Sequence, residues 1–195
     1  YGVTFQYVHQ HCMPLSRRGF LGTCIFAVSG CHVHMTPGQA HDLGLTPRAL
    51  TKQEIQGLTV LGNALVPGAG DAGLGLYIDA QLVAPAGDSM LMVRYLGVNP
   101  PFDDFYRKAL ASLDAWSIQK FAKSLAELYP ESAAQLVRAL MKGEIEDWSG
   151  PPQGFFFFVI RNDACDVKYG TKEGFDHLGV PYMAHIEPPT PWGNP

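Results

Sequence analysis

The sequence predicts a mostly α-helical protein, a compact single-domain helical assembly with an extended, proline-rich C-terminal tail. Three observations carry this. Large apolar residues recur at three- and four-residue spacing in successive segments between residues 51 and 160. No segment alternates cleanly with period two, as a half-buried strand would. Prolines stand where helices start and stop rather than inside them: Pro67, Pro85, Pro100-Pro101 and Pro130.

Residues 1–12 precede Met13, a plausible start, and are not expected to be part of the native start. Residues 13–31 are expected to be an export leader. Ser16-Arg17-Arg18-Gly19-Phe20-Leu21 resembles the twin-arginine signal, which serves proteins that cross the membrane already folded. A short basic region, Met13 to Arg18, leads into an apolar stretch from Gly19 to Val28, and no acidic residue occurs before Asp42. The stretch is too short to span a bilayer, which takes roughly 20 apolar residues. Val28-Ser29-Gly30-Cys31 resembles a lipobox, in which the thiol of Cys31 takes a thioether-linked diacylglycerol. Two acyl chains suffice for stable anchoring where one is marginal. Cleavage without lipidation, or no cleavage, fits the same small residues.

Residues 32–50 show no sustained period and are expected to be a tether. Thr51-Lys52-Gln53-Glu54 reads as a capping box that opens a helix with Ile55, Leu58, Leu61 and Leu65 on one side. Val66-Pro67-Gly68 stops it. A second helix is expected from about Ala72 to Ala84, and a third from Met90 to Gly97, before Pro100-Pro101. A fourth runs from about Phe102 to Trp116, with Ile118, Phe121 and Leu125 continuing its pattern. Pro130 suits the first position of a fifth, whose stripe is Leu136, Val137, Leu140 and Met141 and whose stop is Gly143. Phe155 to Ile160 has no partner strand, so it reads as a helix apolar all round, buried between the others or in a partner. The helical domain thus covers 51–179 and the extended tail 180–195. The tail holds Pro181, Pro188, Pro189, Pro191 and Pro195. Tyr182, Ile186 and Trp192 along it are spaced anchors for a partner surface or for the tail's own domain.

Composition bounds the function. Apolar residues make up 47% of the chain, enough for one globular core. The formal charge is −4, and without Arg17 and Arg18 it falls to −6. That argues against nucleic acid, which demands a basic patch. Cys165 is the one cysteine beyond the leader, so the body has no internal disulfide and no zinc-knuckle spacing.

Several motifs carry candidate chemistry. Gly68-Ala69-Gly70-Asp71-Ala72-Gly73 spells a dinucleotide fingerprint, with Asp88 near the ribose-binding distance. That chemistry needs a strand before the glycines. A capped helix precedes them here, so the segment reads as a helix-to-helix loop. His32, His34 and His41 could supply imidazoles to a metal, but they sit in the expected tether. No catalytic, cofactor-binding or metal site is assigned to this chain.

An ordered set of segments resembles a known family. It comprises the Arg-Arg leader, Leu61-Gly62-Asn63-Ala64-Leu65-Val66-Pro67-Gly68-Ala69 followed by Tyr77-Ile78-Asp79, the Phe155–Phe158 run, and Tyr169-Gly170-Thr171-Lys172-Glu173-Gly174-Phe175 with Leu178-Gly179-Val180-Pro181-Tyr182. From Leu50 onward the chain is similar to the gluconate 2-dehydrogenase subunit 3 family, small subunits of membrane-associated flavin dehydrogenases. The resemblance implies a non-catalytic helical subunit without a cofactor of its own. Its implied partner is a large FAD-containing dehydrogenase subunit acting on a sugar or sugar acid, often with a cytochrome c subunit carrying haem c. The small subunit's leader would carry the folded complex through the twin-arginine machinery, leaving it periplasmic or on the outer face of the cytoplasmic membrane. Cys31 departs from members served by a cytochrome, in which that other subunit does the anchoring. The partner contacts expected on this chain are Phe155, Phe156, Tyr169, Tyr182, Ile186 and Trp192. A stand-alone periplasmic lipoprotein, enzyme or ligand-binding protein, is the alternative.

Overall fold

The computed structural model describes residues 24–28 and 31–179. Two short strands, β1 (Cys24–Val28) and β2 (Cys31–Met35), pair antiparallel with Phe26 opposite Val33. Eight α-helices follow among the described residues: α1 (Pro37–Asp42), α2 (Lys52–Leu65), α3 (Leu74–Val83), α4 (Met92–Tyr95), α5 (Asp103–Phe121), α6 (Pro130–Lys142), α7 (Gln153–Tyr169) and α8 (Lys172–His177). A 3-10 turn at Leu125–Glu127 links α5 to α6.

The expected helices form, and their ends have local causes. In α2 the Thr51 side chain accepts from the Glu54 amide at 3.2 Å, while Glu54 accepts from the Thr51 amide at 2.6 Å. Two of the orphan donors at the helix start are thereby satisfied. Pro130 occupies the first turn of α6, and Gly143 ends it. The expected third helix shrinks to the single turn of α4. By contrast α5 runs on to Phe121, five residues beyond Trp116.

Helix α2 is central. It packs on α3, α5, α6, α7 and the 3-10 turn, and buries Leu58 and Leu61. The loop from Val66 to Gly73 joins α2 to α3, the helix-to-helix connection expected of it. Its glycines serve close packing. A Cβ on Gly70 would lie 2.0 Å from the Thr59 carbonyl oxygen. Asn63 closes the loop by accepting from the Gly70 amide at 2.9 Å and donating to Asp71 at 3.0 Å.

Residues 32–50 correct the expectation of a tether, because they are built into the domain. They hold most of β2 and all of α1, and Met35, Ala40 and Leu50 are buried in the common core. Two devices hold them. Gly73, at φ +92°, lets the α1 backbone come close; a Cβ there would lie 2.3 Å from the Pro37 carbonyl oxygen. The Asp79 carboxylate accepts from the amides of Arg48, Ala49 and Leu50 at 2.7–3.0 Å. The segment lacks a hydrophobic period because single buried residues and backbone-to-side-chain bonds hold it, not a helical stripe.

Helix α7 is longer than its apolar run and is not buried on all sides. Phe156, Val159, Ile160, Asp163, Ala164 and Val167 form its buried face. Phe158 is 43% exposed on the other side. A short α8, capped by Thr171, follows it and had no clear sequence signal.

Candidate interaction surface

The charged groups inside the body are engaged with the body itself. Asp163 lies on the buried stripe of α7, fully enclosed. One carboxylate oxygen accepts from the Tyr106 hydroxyl at 2.7 Å, the other from the Met92 amide at 2.9 Å. These two bonds tie α7 to α5 and to the start of α4. Burial raises the Asp163 pKa from 3.8 to about 7; the two donors counter it, and the nearby Asp166 charge adds to it. Burial likewise pushes the Tyr106 hydroxyl well above its ordinary value, reinforced by Asp163. Asp79 is buried too, and its three amide donors hold the loop that leads from α1 into α2. Neither Asp79 nor Asp163 was singled out from sequence as a buried site. A signal for Asp163 existed, since it stands seven residues after Phe156 and three after Ile160 in an otherwise apolar helical stripe.

The aromatic run splits sharply. Phe156 is fully buried and packs against Phe105, Tyr106 and Trp148, with ring centroids 5.8, 6.5 and 5.9 Å away. That corrects its placement among partner contacts: reaching a partner would require opening the core. Phe155 is half-buried, edge-on to Phe105 at 5.7 Å, and Tyr169 is half-buried against the core. Phe158, which was not among the expected contacts, is the outward member of the run.

Other large apolar side chains reach solvent. Tyr95 on α4 is 61% exposed, with the Arg94 guanidinium over its ring at 5.3 Å. Ile118 on α5 and Met141 on α6 are each 52% exposed. A cleft of about 400 Å³ opens between α1, the end of α7 and α8, lined by Thr36, Gln39, Asp42, Lys168, Thr171 and His177.

Among the described residues, no group of three or more His, Cys, Asp or Glu could hold a metal ion. No described helix is long and apolar enough to cross a membrane. Cys165 is free and half-buried. Cys31 opens β2. The expected export residues Ser16, Arg17, Arg18, Phe20 and Leu21 lie outside the described residues, as do the tail anchors Tyr182, Ile186 and Trp192.

Fold and surface together define a small helical domain whose buried carboxylates serve its own packing and whose outer faces carry isolated large apolar side chains. The chain belongs to the gluconate 2-dehydrogenase subunit 3 family, whose model matches residues 52–184. That span takes in every helix from α2 to α8. No curated protein and no solved structure matches the chain.

Proposed function

We propose that this chain is the non-catalytic small subunit of a flavin-dependent sugar or sugar-acid dehydrogenase, which it binds, stabilises and carries folded across the cytoplasmic membrane. The family match over 52–184 is the observation that carries the reading. The twin-arginine pattern of residues 16–21 supports the export half of it. FAD would reside on the large subunit, and haem c on a cytochrome subunit where one is present. Lipidation at Cys31 would hold the complex to the outer face of the membrane. Binding to the folded subunit alone stabilises the pair by mass action, so each chain should be more labile without the other.

Co-expression with a flavoprotein dehydrogenase subunit from the same genome tests this. A stable, co-purifying, flavin-containing complex is expected, with flavin lost when the large subunit is omitted. A fully stable monomer that captures no such subunit would overturn the reading. Deleting the chain after Gly179 probes the tail. Aromatic anchors can each contribute about 2 kcal/mol or more when buried at an interface. Weaker co-purification with unchanged helical circular dichroism is therefore expected.

A further inference from the structure

The second half of the leader's apolar stretch is also strand β1. The leader's apolar stretch covers residues 19–28, and its second half, Cys24–Val28, is β1. All five positions pair with β2, from Cys24 opposite Met35 to Val28 opposite Cys31. Phe26 is 6% exposed and belongs to the common core, and β1 packs on α3. β2 is itself held from below. Met35 is buried, α1 is seated against Gly73, and residues 48–50 are fastened by Asp79.

A segment paired on its own domain cannot at the same time be presented to export machinery as a free apolar stretch. The two uses are alternative states of one chain, and whatever engages the leader engages only the fraction in which the strand is unpaired. A lone two-stranded hairpin is marginal in water, so this pairing is reversible; the buried Phe26 and the docking on α3 set its strength.

We propose that the β1–β2 hairpin is a latch that withholds the leader, so that the opening of Cys24–Val28 from β2 limits the rate of export. This rests on the export reading given above. The latch precedes α1 in the chain, and its opening is expected to leave α2 to α8 packed, as a sub-global opening does.

The test uses the full chain with substitutions in β2, outside the apolar stretch of the leader. Val33→Pro removes a strand amide opposite Phe26. Met35→Ala is the milder change, trimming the buried side chain under the strand. Helical circular dichroism checks the body, amide hydrogen exchange reads protection of Cys24–Val28, and pulse–chase follows export. In the parent chain the alternate β1 amides that donate to β2 should be protected. Both variants should lose that protection, keep the helical signal and be exported faster, by roughly fivefold for Val33→Pro. If Val33→Pro unfolds the body, the Met35→Ala result decides. Lost protection with export at the parent rate would overturn the latch. The chain with Arg17→Lys and Arg18→Lys separates this from the parent reading: its export at the parent rate would overturn the twin-arginine reading itself, and the latch with it.

Discussion

The Tyr106 hydroxyl donates to the Asp163 carboxylate at 2.7 Å, across 57 residues of sequence, inside a core that excludes water from both. This bond and the Met92 amide are the donors that satisfy a carboxylate which burial would otherwise strongly disfavour. Helices α4, α5 and α7 are therefore joined by polar contacts at a point where their apolar faces also meet.

Removing the Tyr106 hydroxyl leaves Asp163 with one donor in a dry site. Tyr106→Phe keeps the ring packing and should cost about 1–3 kcal/mol, the price of an unsatisfied buried group. Urea unfolding monitored by circular dichroism would give the value. A change under a few tenths would show that water reaches Asp163.

Stability should depend on pH through Asp163. Its pKa is about 7 in the folded chain against 3.8 ordinarily, so between these values the folded state holds a proton that the unfolded state has released. Stability therefore falls as pH rises from about 4 to about 7 and levels off above. At 1.36 kcal/mol per pH unit the fall approaches about 4 kcal/mol. Asp166, also raised by burial, acts in the same direction. Asp163→Asn should flatten most of this slope. Melting temperatures of parent and variant from pH 4 to 8 would decide, and parallel curves would remove Asp163 as the cause.

The split within the aromatic run predicts opposite phenotypes two residues apart. Phe156→Ala empties a fully buried site and should cost about 3–5 kcal/mol. Phe158→Ser should leave stability within about 0.5 kcal/mol, as surface changes usually do. Under the proposed function, it should weaken co-purification with the dehydrogenase subunit if that face meets the partner. Normal binding by Phe158→Ser would place the interface elsewhere.

Gly73 predicts a backbone effect. Gly73→Ala puts a side chain into the left-handed region and against the Pro37 carbonyl. Strain of this kind costs about 1–3 kcal/mol, and α1 should lift from α3. Amide exchange at Ala40 and Leu43 should rise while α5 and α6 are unchanged. Uniform loss across the chain would mean that α1 is integral to global stability.

By itself the sequence determined the helical class, the start of α2 at Thr51, the start and stop of α6 at Pro130 and Gly143, and the family. These are short-range matters. A capping box closes within three residues, a proline fixes its own φ, and an apolar stripe repeats within two turns. Tertiary structure alone decided that Phe156 faces inward and Phe158 outward, that Asp163 and Asp79 are interior, and that residues 32–50 belong to the core. A run of four phenylalanines has no polar side to orient it, so the facing elements choose which rings are covered. A carboxylate can be buried only where donors await it. The Asp163 donors are 57 and 71 residues away in the chain, and those of Asp79 are 29 to 31 residues away. No local pattern announces such meetings, because they exist only once the helices have packed.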